Sequence, residues 1–215
     1  MTTRRRFYKD VTVTDDLGIA LDGRAVKTPL KAALRLPTRG LAEAVAAGVS
    51  RAGGTATLVK LESAEQNFDA ALDAVSAADA VIFGSPTYMG DVSVPMRAFM
   101  IASSKIWFTQ GWKDKLAAGF TVGATFGGNK DNTLTAMWVL SMQHGMIWAG
   151  PGVPNAQINR NADAGAGAAN RIGSALGVIA QAENAAPDVT PPAGDREFAS
   201  LLGERIAKIA GKLSA

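Results

Sequence analysis

The chain has no cysteine and only one histidine in 215 residues. The first absence excludes disulfides, thiolate metal ligands and cysteine nucleophiles, and it suits a cytoplasmic setting. The second excludes a histidine-rich metal site, so no metal is expected. Long apolar runs are also missing. None approaches the ~18 residues needed to cross a bilayer, and the best stretch, Ala136 to Pro151, is interrupted by Gln143 and His144. The opening MTTRRRFYKD is charged with no apolar segment behind it, so neither a secretory leader nor membrane insertion is expected.

What is present is a chain with 47% hydrophobic residues, long enough for one good-sized core. Its net charge of +3 is uneven: residues 1–40 hold nine Lys or Arg against four Asp, a charge of +5, which leaves −2 for the remainder. A basic head of this kind is either a solvated surface or a site for an anionic partner. Arg4, Arg5 and Arg6 lack the aromatic or Gly-rich context that would point to nucleic acid.

Residues 7–36 read as β structure, with an Asp-Gly hairpin signal at Asp22 and Gly23. From Leu41 the period becomes helical, with Leu41, Val45 and Val49 on one stripe that ends at Gly53 and Gly54. Strands are then expected at 55–61, 80–86, 116–124 and 146–152, the last three as continuous apolar runs buried on both faces. Helices are expected at 65–78, 93–108, 132–144, 168–182 and 195–213. Strands alternating with helices predict a doubly wound parallel α/β sheet, which binds ligands beyond the carboxyl ends of its strands.

Two loops stand at such ends. Pro86, Thr87, Tyr88, Met89 and Gly90 follow one strand, with proline fixing a turn and glycine permitting a backbone that larger residues resist. Val122, Gly123, Ala124, Thr125, Phe126, Gly127 and Gly128 follow the next. Each alone reads as a strand-to-helix connection. Together they suit a planar heteroaromatic ring, with amides along its edge and Met89, Phe126 and Trp107 over a face. The stretch DAGAGAANRIGS at 163–174 is a near miss to a dinucleotide fingerprint, set aside because no buried strand precedes it.

The segments ADAVIFGSPTYMGDVSVPMRAFM, WKDKLAAGFTVGATFGGNKDNTLTAMW and QHGMIWAGPG resemble the flavodoxin-like NAD(P)H:quinone oxidoreductases, the branch that includes the tryptophan-repressor-binding protein. The likeness runs from about Leu41 to Leu213. It implies an FMN-binding domain, with strand order 2-1-3-4-5, that passes two electrons from NAD(P)H to quinones. By position in the family, Pro86 to Gly90 and Val122 to Gly128 hold the isoalloxazine, His144 lies near the flavin as the catalytic candidate, and Trp107 lines the substrate side. Read without the family, His144 is better explained as a buried histidine satisfied by the backbone. Arg171 falls in what is, in the family, a loop by the active site; it reads as a surface arginine first, with contact to a nicotinamide phosphate as the alternative. Family members often assemble as homodimers or tetramers. A pure electron-carrier flavodoxin is disfavoured, because such carriers are usually strongly acidic and this body is nearly neutral.

Residues 4–46 resemble something else. RRFYKDVTV and GIALDGRAVKTPLKAALRLPTRGLAEAVA are similar to the start of the chaperones that escort the ATP-synthase alpha subunit during assembly. The two resemblances meet at LAEAVA, and a chimera joined within a shared helix is the simplest account. The expected division is a basic β-rich segment, 1–40, and a flavodoxin-like domain, 41–215, whose native first strand and phosphate loop are replaced. The phosphate loop then falls on Ala33 to Thr38, where only Thr38 offers a hydroxyl and Pro37 removes an amide. Losing about three charge-assisted hydrogen bonds costs roughly 4–9 kcal/mol, a thousandfold or more in FMN affinity. Lys31 to Leu36 is the segment expected to stand in for the first strand. The alternative is an assembly-chaperone fragment, partnered with the ATP-synthase alpha subunit, fused to a non-catalytic flavodoxin-like domain.

Overall fold

The computed structural model describes residues 11–13, 19–21, 24–25, 38–158, 165–182 and 189–213. Near the amino end, β1 (Val11–Val13), β2 (Ile19–Leu21) and β3 (Arg24–Ala25) form an antiparallel sheet. Leu21 pairs with Arg24, the two-residue spacing that the Asp-Gly signal predicts. The candidate substitute strand at 31–36 lies outside the described residues.

The main sheet is built on two long apolar strands. β4 (Ala80–Tyr88) and β6 (Leu116–Gly123) run parallel, in register from Ala80 opposite Leu116 to Pro86 opposite Val122. Leu116 to Val122 is buried throughout, as a strand covered on both faces requires. The far edge of β6 is shared by two pieces. β7 (Ile147–Trp148) pairs with its start and β8 (Val178–Gln181) with its end, both in parallel. At the carboxyl end of β4, β5 (Asp91–Val92) folds back antiparallel.

Three sequence expectations change here. Residues 55–61 form no strand, and Leu58 and Val59 are exposed. A strand exists only with a hydrogen-bonding neighbour, and among the described residues none lies beside this segment. The expected buried strand at 146–152 shrinks to the two residues of β7, at the sheet edge, with Ile147 exposed. The expected helix at 168–182 is instead a series of turns ending in β8.

Helices cover both faces. α2 (Asp69–Ala77), α3 (Val94–Ala102) and α5 (Lys130–Gln143) enclose one core with Leu72, Phe83, Phe99, Trp112, Leu134 and Met137. A short turn of helix, α4 (Ser104–Trp107), follows α3. On the other face α1 (Thr38–Arg51) and α6 (Ala193–Leu213) share a second core with Leu41, Val45, Phe120, Phe198, Leu202 and Ile206. These two helices touch backbone to backbone. A Cβ on Gly48 would lie 1.9 Å from the Ser200 carbonyl oxygen, and one on Gly203 would lie 2.1 Å from that of Val45. Only glycine at both positions allows this approach. α1 begins at Thr38, beside the expected division at residue 40, and by this contact it is packed into the α/β body.

Candidate functional site

At the carboxyl ends of β4 and β6 the two predicted loops lie side by side. The chain leaves β4 through Met89 and Gly90, both in the left-handed region at φ 51° and 79°. It leaves the Gly-rich loop through Gly128 and Asn129, at φ 64° and 54°. These turns are tied together: the Asn132 side-chain amide donates to the Gly90 carbonyl at 2.7 Å. Below them the half-buried Thr87 hydroxyl lies 2.7 Å from that of Thr121 and 2.8 Å from that of Thr133, both fully buried, joining β4, β6 and α5 in one chain of hydroxyls. The surface above carries Tyr88, Met89 and Phe126, all exposed. The structure thus brings the two predicted ring loops together as one surface with apolar side chains at its rim.

Behind the Gly-rich loop is a buried set of charges. Arg171, 8% exposed, donates through Nε and Nη2 to the Asp195 carboxylate at 2.8 and 3.0 Å. Its guanidinium carbon also stands 5.3 Å from the centre of the Phe126 ring, close enough for a cation–π contact. Asp195, in the first turn of α6, additionally accepts the backbone N–H of Gln181 at 2.8 Å. The Gln181 side chain donates to the Ala124 carbonyl at 3.2 Å, so the network reaches the loop backbone itself. Arg171 is therefore a structural ion-pair partner. The surface arginine expected from its loop position is a misreading, because its partner is far along the chain. Lys130 opens α5 beneath the same loop and is 1% exposed, with Nζ donating to the Ala180 carbonyl at 2.8 Å. Burial pushes its ammonium down to about 8, with Asp195 acting in the opposite direction.

His144 and Trp107 lie elsewhere. The 14 residues of α5 place its ends about 20 Å apart, and His144 follows the end remote from the Gly-rich loop. Nearby, Ile147 pairs with Leu116, the first residue of β6, which marks this as the amino end of the sheet. The His144 ring is buried, with Nε2 2.9 Å from the Ser103 hydroxyl and the ring 4.4 Å from that of Trp112. Its Nδ1 has no partner among the described residues, and burial lowers its pKa. Trp107 and His144 line one groove of about 300 Å³ with Met100, Ser104 and Leu140. The length and direction of α3 and α5 thus place His144 and Trp107 at the opposite end of the sheet from the two ring loops.

The predicted phosphate segment, Ala33 to Thr38, lies outside the residues whose side chains are described. The adjoining Arg39 is exposed and its Nε pairs with Glu43 along α1 at 2.7 Å.

Comparison with known proteins places this architecture. The chain is 35% identical over 163 residues to flavodoxin FldP of Pseudomonas aeruginosa, a match covering 76% of this chain and 87% of that protein. The chain belongs to the flavodoxin family. A solved structure of a WrbA-like flavodoxin from Agrobacterium tumefaciens aligns with this flavodoxin-family chain at a TM-score of 0.60 and 35% identity, covering 81% of it and 90% of the other. A flavodoxin from the domain Archaea shares the fold, at a TM-score of 0.54 and 18% identity, over 81% of this chain and 91% of that one. An NAD(P)H dehydrogenase (quinone) of Archaeoglobus fulgidus is 33% identical over 135 residues, or 63% of this chain, and the match spans 61% of that enzyme's length. At the amino end the ATP12 chaperone protein family matches residues 5–80. Both resemblances read from the sequence therefore have counterparts, and the second extends beyond residue 46, through α1 and α2.

Sequence reasoning missed Lys130 and Asp195 in this flavodoxin-family site. Lys130 carried a faint signal, because a cation in the first turn of a helix opposes the helix dipole. Asp195 carried none, since an acidic first turn is ordinary.

Proposed function

We propose that the chain binds FMN through the 86–90 and 122–128 loops and, so loaded, carries two electrons from NAD(P)H to a quinone. The observation behind this reading is the tie between the two loops: Asn132 to Gly90, over the shared hydroxyls of Thr87, Thr121 and Thr133, at the carboxyl ends of parallel strands. The residues present fit the ring of the cofactor, with the backbone of the largely exposed 124–128 turn for a heteroatom edge and Tyr88, Met89 and Phe126 beside a flat face. When bound, the flavin would supply the redox chemistry needed for a two-electron transfer between NAD(P)H and a quinone. The chain's own residues bind, orient and shield the ring, and no protein general base is required.

With only Thr38 as a hydroxyl and no amide at Pro37, we infer an FMN affinity reduced about a thousandfold or more relative to a complete cradle. The proposed division follows, a β-rich segment at 1–40 joined as a chimera to an FMN-binding domain at 41–215. His144 and Trp107 would reach a ring only across a contact with a second copy, so a homodimer or tetramer belongs to the same proposal.

The test is an FMN titration read by flavin fluorescence, followed by NAD(P)H oxidation with a soluble benzoquinone. Saturable binding near micromolar with quinone-dependent turnover supports the reading, and absence of binding at millimolar FMN refutes it. The relative named flavodoxin favours a second reading, a carrier that hands electrons to a protein. FMN binding without quinone turnover would select it. The amino-terminal family match favours a third, in which residues 1–40 escort the ATP-synthase alpha subunit and the remainder is non-catalytic. Failure to retain that subunit in a pull-down removes it.

A further inference from the structure

We propose that Lys130 sets the electron affinity of the ring held by the 86–90 and 122–128 loops, its buried ammonium favouring the reduced ring over the oxidised one. The inference rests on the flavin reading above and adds a residue that neither loop motif contains.

The stem of Lys130 runs beneath both loops. A Cβ on Gly123 would lie 3.5 Å from Lys130 Cε and 3.8 Å from Thr87 Cβ, and one on Gly128 would lie 3.9 Å from Lys130 Cε. Its Nζ meets the Ala180 carbonyl and forms no ion pair among the described residues. The nearest buried carboxylate, Asp195, is taken up by Arg171 through two hydrogen bonds. The charges facing this spot are Asp195 from α6, Arg171 from the segment before β8, and Asp131 beside Lys130 on α5. The buried members, Lys130, Arg171 and Asp195, leave one positive charge uncompensated.

That is a costly arrangement for stability alone. A buried cation at a helix amino end works against both desolvation and the helix dipole. It is useful where charge appears during a reaction, because fixed charge in a water-poor site acts strongly on charge that develops beside it. A flavin that has accepted two electrons and one proton carries more negative charge than the oxidised ring, so the ammonium stabilises the reduced form selectively. Lys130 is a positioning residue in this account, buried below the ring and acting through the field. Its charge is present below pH 8 and fades above it.

The experiment uses the full chain loaded with FMN, and compares wild type with Lys130→Met and Lys130→Gln, each checked for folding by circular dichroism. Midpoint potential is read by equilibration with reference dyes at pH 7 and pH 9.5, alongside the dissociation constant for oxidised FMN. We expect the ratio of reduced to oxidised affinity to fall at least about tenfold at pH 7, which for a two-electron couple is a potential about 30 mV more negative. The gap should close at pH 9.5. A folded variant with the wild-type potential at pH 7 overturns the inference while leaving FMN binding intact. Wild type that fails to bind FMN removes both readings. If neither variant folds, the wild-type potential decides: no change of slope near pH 8 overturns the proposal.

Discussion

Replacing Gly48 by alanine tests whether α1 is docked as described. The new Cβ would sit 1.9 Å from the Ser200 carbonyl oxygen and 2.7 Å from its carbon, far inside the roughly 3.5 Å of good contact. Both obstructing atoms are backbone, so no side-chain rotation relieves them, and α1 must move off α6 by more than about an ångström. Overpacking of this kind costs about 1–3 kcal/mol. Leu41 and Val45, fully and almost fully buried in the same core as Leu202 and Ile206, lose roughly another 1–2 kcal/mol of packing. Alanine's helix propensity returns only about 1 kcal/mol. The net expectation is a loss of about 1–4 kcal/mol in urea unfolding, seen as a lower midpoint at unchanged slope. Gly203→Ala should act in the same direction, since its Cβ meets the Val45 carbonyl oxygen at 2.1 Å. Gly211→Ala is the control: it lies in α6 with nothing within 4 Å, and should stabilise by about 0.5–1 kcal/mol. If Gly48→Ala were stabilising like the control, α1 would not be packed on α6.

Further consequences concern the buried polar groups. The unfolded chain holds the Lys130 proton up to the ordinary lysine value of 10.5, whereas the folded chain releases it at about 8. Between these values the unfolded state binds more protons, so stability rises with pH, by about 3 kcal/mol in full. Lys130→Met should abolish that rise, and parallel stability curves for the two proteins from pH 7.5 to 10.5 would contradict it. Asp195→Asn leaves the Arg171 guanidinium buried without its counter-charge and should cost about 3–5 kcal/mol; a loss under about 1 kcal/mol in chemical denaturation would mean that the pair is solvated. Thr87→Val keeps the shape but strands the buried hydroxyls of Thr121 and Thr133, for about 1–3 kcal/mol. An unchanged melting temperature would refute that network.

The sequence by itself determined the elements whose pattern is local. The unbroken apolar runs of β4 and β6 declare strands covered on both faces, and the Gly and Pro residues after them mark the turns that became the site. The stripe of Leu41 and Val45 predicted the face on which α1 is buried. The family likeness was carried by the same segments. Tertiary structure alone decided the rest. Residues 55–61 have a strand-like composition but no neighbour among the described residues, and strand formation belongs to a pair. VIAQ at 178–181 is a strand because the end of β6 was free to receive it. His144 follows a helix long enough to carry it to the opposite end of the sheet from the loops with which it was grouped. Arg171 and Asp195 are 24 residues apart, and Lys130 and Ala180 are 50 apart, yet each pair is joined inside the protein. Hydrophobic period is written residue by residue along the chain, whereas the partner that makes a buried charge or a strand tolerable is supplied only when distant segments meet.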